Sequence, residues 1–333
     1  VGYSEDDRGF IQAVVSRKNL FGSGRHLEVS LDRSQVKQVY EVEYVNPYYT
    51  DNGISRGIFA RQKNLDASAG ASAGYIANSS GLGLRYKIPT SEYNALAISG
   101  EYESIGLLSV VNTPSEYISF IEQYPENQTV LVKTSFSRDT RDTILFPERG
   151  YLASLSSEFA VPGSDLEYYK LSISSQIHRA LSNNLVAGLN GSFGYGGGYS
   201  NTASLPFYRN FFAGGASSVR GYRTRSLGPR TNSFAKNESL GGNRRLVGNL
   251  NLYFPVPGLK NGDSTRLSLF VDAGQVFGHG ETLSFSDMRL SSGVAFNWFT
   301  AIGPLAVSYG IPINAMADDK TKRLQITFGT LFR

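Results

Sequence analysis

The sequence predicts an all-β fold: one domain over residues 1–333, an antiparallel transmembrane barrel of about sixteen strands. Three observations predict it. Apolar and polar residues alternate with period two along nearly the whole chain, and short turns alternate with longer loops between these segments. The third observation is a stretch without strand pattern, roughly residues 198–243, which is long for a compact domain and rich in aromatics.

The alternation is clear in four segments, residues 26–32, 39–45, 245–254 and 322–332. A soluble β-sandwich would also alternate, with its polar face toward water. Here the alternation continues with scarcely any helix pattern, and aromatic residues cluster near the short turns, as in the interfacial girdle of a membrane barrel. We therefore favour the membrane barrel.

Most predicted strands reach the roughly 9–11 residues that a strand needs to cross a bilayer. The first does not, either because the chain was cut there or because this strand pairs poorly. We expect the chain to be a mature piece of a longer protein. The predicted strands cover residues 1–4, 9–19, 25–34, 37–47, 54–64, 75–88, 94–107, 128–138, 150–161, 166–180, 184–196, 245–255, 265–277, 288–299, 304–312 and 322–332.

One helix is predicted in the loop 107–128. Thr113 is placed to cap it, Pro114 suits its first position, Glu116 completes a capping box and Pro125 ends it. Its apolar residues allow two positions, at the lipid boundary or packed within its own loop.

Composition argues against several functions. The chain has no cysteine, so it has no disulfide, zinc-thiolate site or thiol nucleophile, and its three histidines are far apart in sequence. No apolar run approaches the roughly 20 residues of a membrane helix. The long loop is rich in arginine, but a net charge of +4 does not fit a nucleic-acid-binding protein. We expect no enzymatic activity, no metal, no cofactor and no nucleic-acid partner.

The long loop contains a glycine-arginine motif. Gly214 and Gly215 permit a tight reversal, and Gly221 frees the backbone beside Arg220. Arginine remains charged when buried and offers five donors in a rigid fork, which suits one fixed contact. We expect a folded-back hairpin that presents Arg220; the alternative is a solvated surface loop.

Several motifs together carry a resemblance to a known family. They are the stretches 19–25 and 44–53, the turn with Asp142, Pro147 and Gly150, the segment 212–222 ending in Val219-Arg220-Gly221-Tyr222, and Phe270-Val-Asp272-Ala-Gly274. In this order, over essentially all 333 residues, the chain resembles the C-terminal barrel of the BamA family, which also includes TamA and FhaC.

The resemblance implies an outer-membrane factor that folds and inserts β-barrel proteins into the bacterial outer membrane. Its partners would be unfolded barrel substrates, accessory lipoproteins, membrane lipid and lipopolysaccharide. Periplasmic POTRA domains would precede Val1 and dock most of the lipoproteins. The long extracellular loop would fold into the lumen, where Arg220 would pair with Asp272. Some members carry a glutamate where Asn251 stands here, which leaves a second charged partner of Arg220 open.

The resemblance also implies a lateral gate between the first and last strands. Its residues here would be Val1, Gly2 and Tyr3 on one side, and Phe328, Gly329 and Phe332 on the other. A glycine weakens a strand, and an edge that opens offers a template for an incoming strand. The alternative is plain truncation of the first strand and ordinary packing of Gly329.

Three other functions remain open. One is a protein-translocating pore of the FhaC type, which would need a stable conducting lumen. Another is a TamA-like assembly factor, although the motifs in residues 19–53 favour the BamA type. The third is a diffusion porin, whose constriction loop needs no Val-Arg-Gly-Tyr motif.

Overall fold

A computed structural model describes residues 1–5, 8–70, 74–231, 237–258 and 264–329. The elements are β1 (Gly2–Ser4), β2 (Arg8–Arg17), β3 (His26–Ser34), β4 (Lys37–Asn46), β5 (Ser55–Asp66), β6 (Ile76–Pro89), β7 (Asn94–Leu108), α1 (Ser115–Gln123), β8 (Glu126–Asp139), β9 (Gly150–Ala160), β10 (Tyr168–Ser182), β11 (Leu185–Gly198), β12 (Gly221–Tyr222), β13 (Arg244–Phe254), β14 (Thr265–Phe277), β15 (Arg289–Thr300), β16 (Gly303–Pro312), β17 (Thr321–Lys322) and β18 (Leu324–Phe328). The predicted seam residue Phe332 lies outside the described residues.

Within this part of the chain, sixteen antiparallel strands close into a barrel, as predicted. Each strand pairs with its neighbour in sequence, except that β12 and β17 form a separate two-stranded sheet. Most ladders are long: β6 and β7 pair from Ile76 with Leu108 to Pro89 with Ala95. The barrel closes where β1 meets β18, and there the described register contains a single Cα pair, Tyr3 with Phe328.

The two faces of the strands differ as the alternation predicts. On β14, Leu269 is 49% exposed and Val271 is 46% exposed, whereas Phe270 and Asp272 are buried. Because neighbouring residues of a strand point to opposite faces, the exposed apolar side chains form an outer surface suited to lipid. The opposite face carries ion pairs between strands, among them Lys133 of β8 with Glu101 of β7 at 2.7 Å.

Helix α1 forms, but its predicted capping box is wrong. Pro114 is the N-cap and makes no side-chain cap, while the Thr113 hydroxyl accepts a hydrogen bond from the Val110 amide at 2.7 Å. Pro114 has a non-helical ψ of 145°, so the helix starts one residue later than predicted and Glu116 lies one position too early to complete the box. The buried side of α1 packs on the ring of Phe207, which stacks on Tyr117. These contacts place α1 against the long loop 198–243 and the wall, not within its own loop as the second predicted position had it.

Within the described residues, the last wall strand covers less of the predicted 322–332 than expected. Thr321 and Lys322 leave the wall to pair with Tyr222 and Gly221, and β18 ends at Phe328. Gly329 therefore follows the strand and does not kink it: its φ of +75° is left-handed, and its amide donates to the Pro304 carbonyl at 2.8 Å. No helix within the described residues is long and apolar enough to cross a membrane.

Candidate functional site

The glycine pair of the long loop forms the base of a hairpin. Gly214 and Gly215 both have φ of +100°, and a Cβ on Gly214 would lie 2.4 Å from the Arg223 carbonyl oxygen. The Gly214 amide donates to the Ser218 hydroxyl at 2.8 Å, and the Gly215 amide donates to the Val219 carbonyl at 3.2 Å. These bonds fold residues 214–219 into a compact turn with Arg220 directly after it.

Arg220 contacts three side chains of the barrel wall. Its Nε donates to Asp272 Oδ2 at 2.7 Å and its Nη2 donates to Asp272 Oδ1 at 2.6 Å, which is the two-pronged geometry of a guanidinium on a carboxylate. The Arg220 backbone amide donates to the same Oδ2 at 3.0 Å. The guanidinium carbon lies 3.5 Å from the centre of the Phe270 ring. A planar cation above an aromatic face is itself attractive.

Asn251 is a neutral partner of Arg220, at the position where some family members carry a charged glutamate. Its Oδ1 accepts from Arg220 Nη2 at 2.9 Å. Among the described ion pairs, the carboxylate that meets Arg220 is that of Asp272, which is fully buried. A buried carboxylate is costly unless it is paired and hydrogen-bonded, so Asp272 depends on this arginine.

Close backbone approaches complete the contact between loop and wall. A Cβ on Gly274 would lie 2.7 Å from Val219 Cγ2, and Val219 is fully buried. A Cβ on Gly310 of β16 would lie 2.7 Å from the Gly221 amide nitrogen, and Gly221 itself has φ of +88°. Glycine at 274, 310 and 221 therefore lets the loop touch β14 and β16 directly.

Tyr222, the last residue of the motif, lies next to the contact between loop and wall. Tyr222 is fully buried, and its hydroxyl donates to the Leu290 carbonyl at 3.2 Å. Burial raises the pKa of Tyr222 to about 12, so the phenol remains a neutral donor at physiological pH. The six predicted loop residues and the three predicted wall residues thus lie together in one cluster.

Gln325 of β18 also belongs to this cluster, although no pattern in the sequence indicated its role. Its Nε2 donates to the Tyr222 carbonyl at 2.8 Å, and its Oε1 accepts from the Gly221 amide at 3.3 Å. Alternation places Gln325 on the inner face, but only the register between loop and strand shows what it binds.

Gln325→Leu is expected to weaken the docking of the motif by about 1–3 kcal/mol, since two buried backbone groups lose a partner. We would measure hydrogen exchange at Gly221 and Tyr222. Protection should fall in Gln325→Leu and persist in Thr327→Ala, the control at the next position on the same face of β18. Equal protection in wild type and Gln325→Leu would contradict this role.

The same loop is also anchored on β7 and β9, which lie six and four strands from β14 in the barrel. Arg209 forms ion pairs with Glu103 of β7 and with Glu158 of β9, and its carbonyl accepts from Lys170 Nζ at 2.7 Å. Arg209 was not among the predicted site residues. A basic residue in an arginine-rich loop carries no sequence signal that distinguishes a buried anchor from a solvated side chain.

The described seam residues, Val1 to Tyr3 and Phe328 to Gly329, lie together where the barrel closes. A Cβ on Gly2 would lie 2.6 Å from the Phe328 carbonyl oxygen, and one on Gly329 would lie 2.6 Å from the Val1 carbonyl oxygen. Tyr3 points outward and is 44% exposed. The two chain ends therefore meet through backbone, with few side chains between them.

The predicted turn residues lie apart from both sites. Asp142 accepts from the amides of Thr143 and Glu148 at 2.9 and 3.1 Å, and Gly150 has φ of +93°. The buried Pro147 carbonyl accepts from Arg266 of β14 at 3.1 Å. The turn thus folds across to β14, whose inner face also holds Asp272.

Comparison with known proteins identifies the family. Residues 19–332 match the model of the Omp85 superfamily domain. The chain belongs to the Omp85 superfamily. The outer membrane protein assembly factor BamA of Neisseria meningitidis serogroup B is 30% identical over 99% of this chain and 46% of its own length. This Omp85 chain thus spans about half the length of that relative.

Solved structures of the superfamily agree with the fold. BamA from Haemophilus ducreyi lacking POTRA domains 1–3 superposes with a TM-score of 0.90 at 25% identity, over 98% of this chain and 68% of that one. CdiB from Acinetobacter baumannii gives a TM-score of 0.57 at 15% identity over 98% of this chain and 57% of that one, a likeness of fold alone. This Omp85 chain is therefore a bacterial outer-membrane β-barrel, as predicted.

Proposed function

We propose that the chain is the membrane part of an assembly factor that folds and inserts β-barrel proteins into the outer membrane. The observation that carries the proposal is the seam, where β1 and β18 share a single Cα pair within the described residues. Unpaired backbone groups that face lipid are costly. Such an edge favours any strand that pairs with it, so a substrate strand adds there by β-augmentation.

The long loop has a supporting role in this proposal. We infer that it lies in the lumen, because its buried residues contact the inner-face residues Asp272, Asn251 and Gln325. An occupied lumen is unsuited to passage of a polypeptide, so substrates leave sideways into the bilayer. The proposal includes no enzymatic step and no cofactor, since the free energy comes from the folding of the substrate in the membrane.

The partners of the protein follow from this proposed function. Unfolded barrel proteins are the substrates, and lipid with lipopolysaccharide surrounds the outer surface. POTRA domains that precede Val1 in the natural protein would recruit accessory lipoproteins, as the family resemblance implies. The seam would be the lateral gate, with Val1, Gly2 and Tyr3 facing Phe328 and Gly329.

A crosslinking experiment tests the function. Tyr3→Cys would be placed in the natural, cell-expressed protein, and a second cysteine in the last strand of an unfolded porin substrate. Residues 1–333 contain no cysteine, so no native thiol of the barrel competes with the introduced one. We expect a substrate disulfide during assembly at Tyr3→Cys and none at Leu250→Cys, an equally lipid-facing control on β13 that is 54% exposed.

The opposite result would favour a different function. If Tyr3→Cys captures no substrate strand while the protein conducts ions and releases a secreted partner, the chain is a translocation pore.

A further inference from the structure

Glu5, directly after β1, contacts both the motif loop and the approach to the last strand. Its Oε2 accepts from the Thr224 hydroxyl at 3.3 Å, and its Oε1 pairs with Lys322 Nζ at 2.9 Å. The Glu5 side chain is 8% exposed, whereas that of Lys322 is 48% exposed. One largely buried carboxylate thus joins three segments that are distant in sequence.

Both partners of Glu5 belong to one unit. Thr224 follows the motif by two residues, and Lys322 pairs with Gly221 in the small sheet of β12 and β17. The Arg223 amide donates to the Lys320 carbonyl at 2.8 Å, which extends that pairing. If the motif leaves the wall, its strand pairing and the Thr224 contact of Glu5 are lost with it.

Within the described residues, the ladder between β1 and β18 is the shortest in the barrel. Its one described Cα pair contrasts with the continuous ladders elsewhere in the barrel. Few backbone hydrogen bonds hold β1 against β18 in so short a ladder. A charge-assisted contact beside it therefore supplies a large fraction of the free energy that keeps the seam closed. The ion pair between Glu5 and the exposed Lys322 would by itself add little to the stability of the seam. The hydrogen bond from the buried Thr224 hydroxyl to Glu5 is therefore also needed.

We propose that Glu5 is a positioning residue that couples the seam to the motif loop. While the loop is docked through Arg220, Glu5 holds the first strand against the last. When the loop undocks, Glu5 loses Thr224, Lys322 loses its strand pairing with Gly221, and the seam opens more readily. By linkage, a strand that opens the seam also loosens the loop. The consequence for substrate insertion rests on the proposed function, but the coupling itself is a property of the free protein.

The test measures closure of the seam without substrate. Tyr3→Cys and Phe328→Cys occupy the seam Cα pair, and residues directly opposite in an antiparallel ladder are within disulfide range. In vesicles of the natural protein, we expect Glu5→Ala to slow oxidation of this pair about fivefold or more. Asp51→Asn, an exposed carboxylate in the turn after β4, is the control and should oxidise at the wild-type rate.

Two further variants separate coupling from simple damage to the fold. Lys322→Glu should slow oxidation, and combining it with Glu5→Lys should restore the rate, because the ion pair is rebuilt with its charges exchanged. Arg220→Ala should slow oxidation in the wild-type background and have less effect in the Glu5→Ala background, since interacting residues are not additive.

The inference is overturned if Glu5→Ala oxidises at the wild-type rate, or if the effects of Arg220→Ala and Glu5→Ala are additive. Failure of the proposed function would look different. In that case the seam reporter responds to Glu5 as described, yet Tyr3→Cys captures no substrate strand.

Discussion

Replacing Arg220 with alanine is expected to undock the long loop and to slow assembly of substrate barrels at least about tenfold. Asp272 is fully buried and receives three hydrogen bonds from Arg220, so the variant leaves a charge without its partner. Loss of one member of a buried pair costs about 3–5 kcal/mol. We would follow the folding of a urea-denatured barrel substrate into vesicles that contain the protein.

Arg223→Ala is the matched control, because the Arg223 side chain is 42% exposed and meets Glu238 only at 4.0 Å. Arg220→Lys should be intermediate, since lysine keeps the charge and loses the planar fork. Combining Arg220→Ala with Asp272→Asn should recover part of the stability, because the unpaired carboxylate is gone. Equal rates for Arg220→Ala and Arg223→Ala would remove the special role of Arg220.

A disulfide across the seam is expected to reduce assembly about tenfold or more, and reduction of that disulfide should restore it. Tyr3→Cys with Phe328→Cys joins β1 covalently to β18, so the edge no longer opens for an incoming strand. Substrate folding would be measured with the same vesicles before and after addition of a reductant.

The control places an equivalent crosslink in an uninterrupted ladder. Ser154 and Ser174 are Cα partners on β9 and β10, away from the seam. A disulfide between cysteines at these positions should leave assembly unchanged in either redox state. If the seam disulfide were equally harmless, strand addition at the seam would not be the route of insertion.

Much of the barrel could be predicted because one face of each strand contacts lipid and the other does not. Because of this asymmetry, apolar and polar residues alternate along each strand. Asp272 could therefore be assigned to the inner face, since the nearby Leu269 and Val271 belong to the apolar outer face. The position of Arg220 was harder, because a loop has no period. Its expected contact with Asp272 came from the family resemblance.

The contacts of Gln325 and Arg209 could not be predicted, because they depend on how the long loop is aligned with the strands. No local pattern in the sequence encodes that alignment. Gln325 and Arg209 are ordinary polar residues in sequence, and only the path of the loop brings them to their partners. The capping box failed for a local reason, since Pro114 sets the helix start. β18 ends early because Gly329 adopts a left-handed conformation.

If the long loop lies in the lumen as proposed, its two anchors make it a chord of the ring of strands: Arg209 pairs with β7 and β9, and Arg220 pairs with β14. Each strand added evenly to the ring lengthens the perimeter by about 4.8 Å and thus the diameter by about 1.5 Å. The anchors lie only four to six strands apart in the ring of sixteen, so one added strand lengthens the distance between them by only about 0.5 Å, and the hydrogen bonds at both ends can persist. While the loop stays attached at both ends, the strands between its anchors keep their spacing. The barrel then widens on the side that contains the seam, where strands are added.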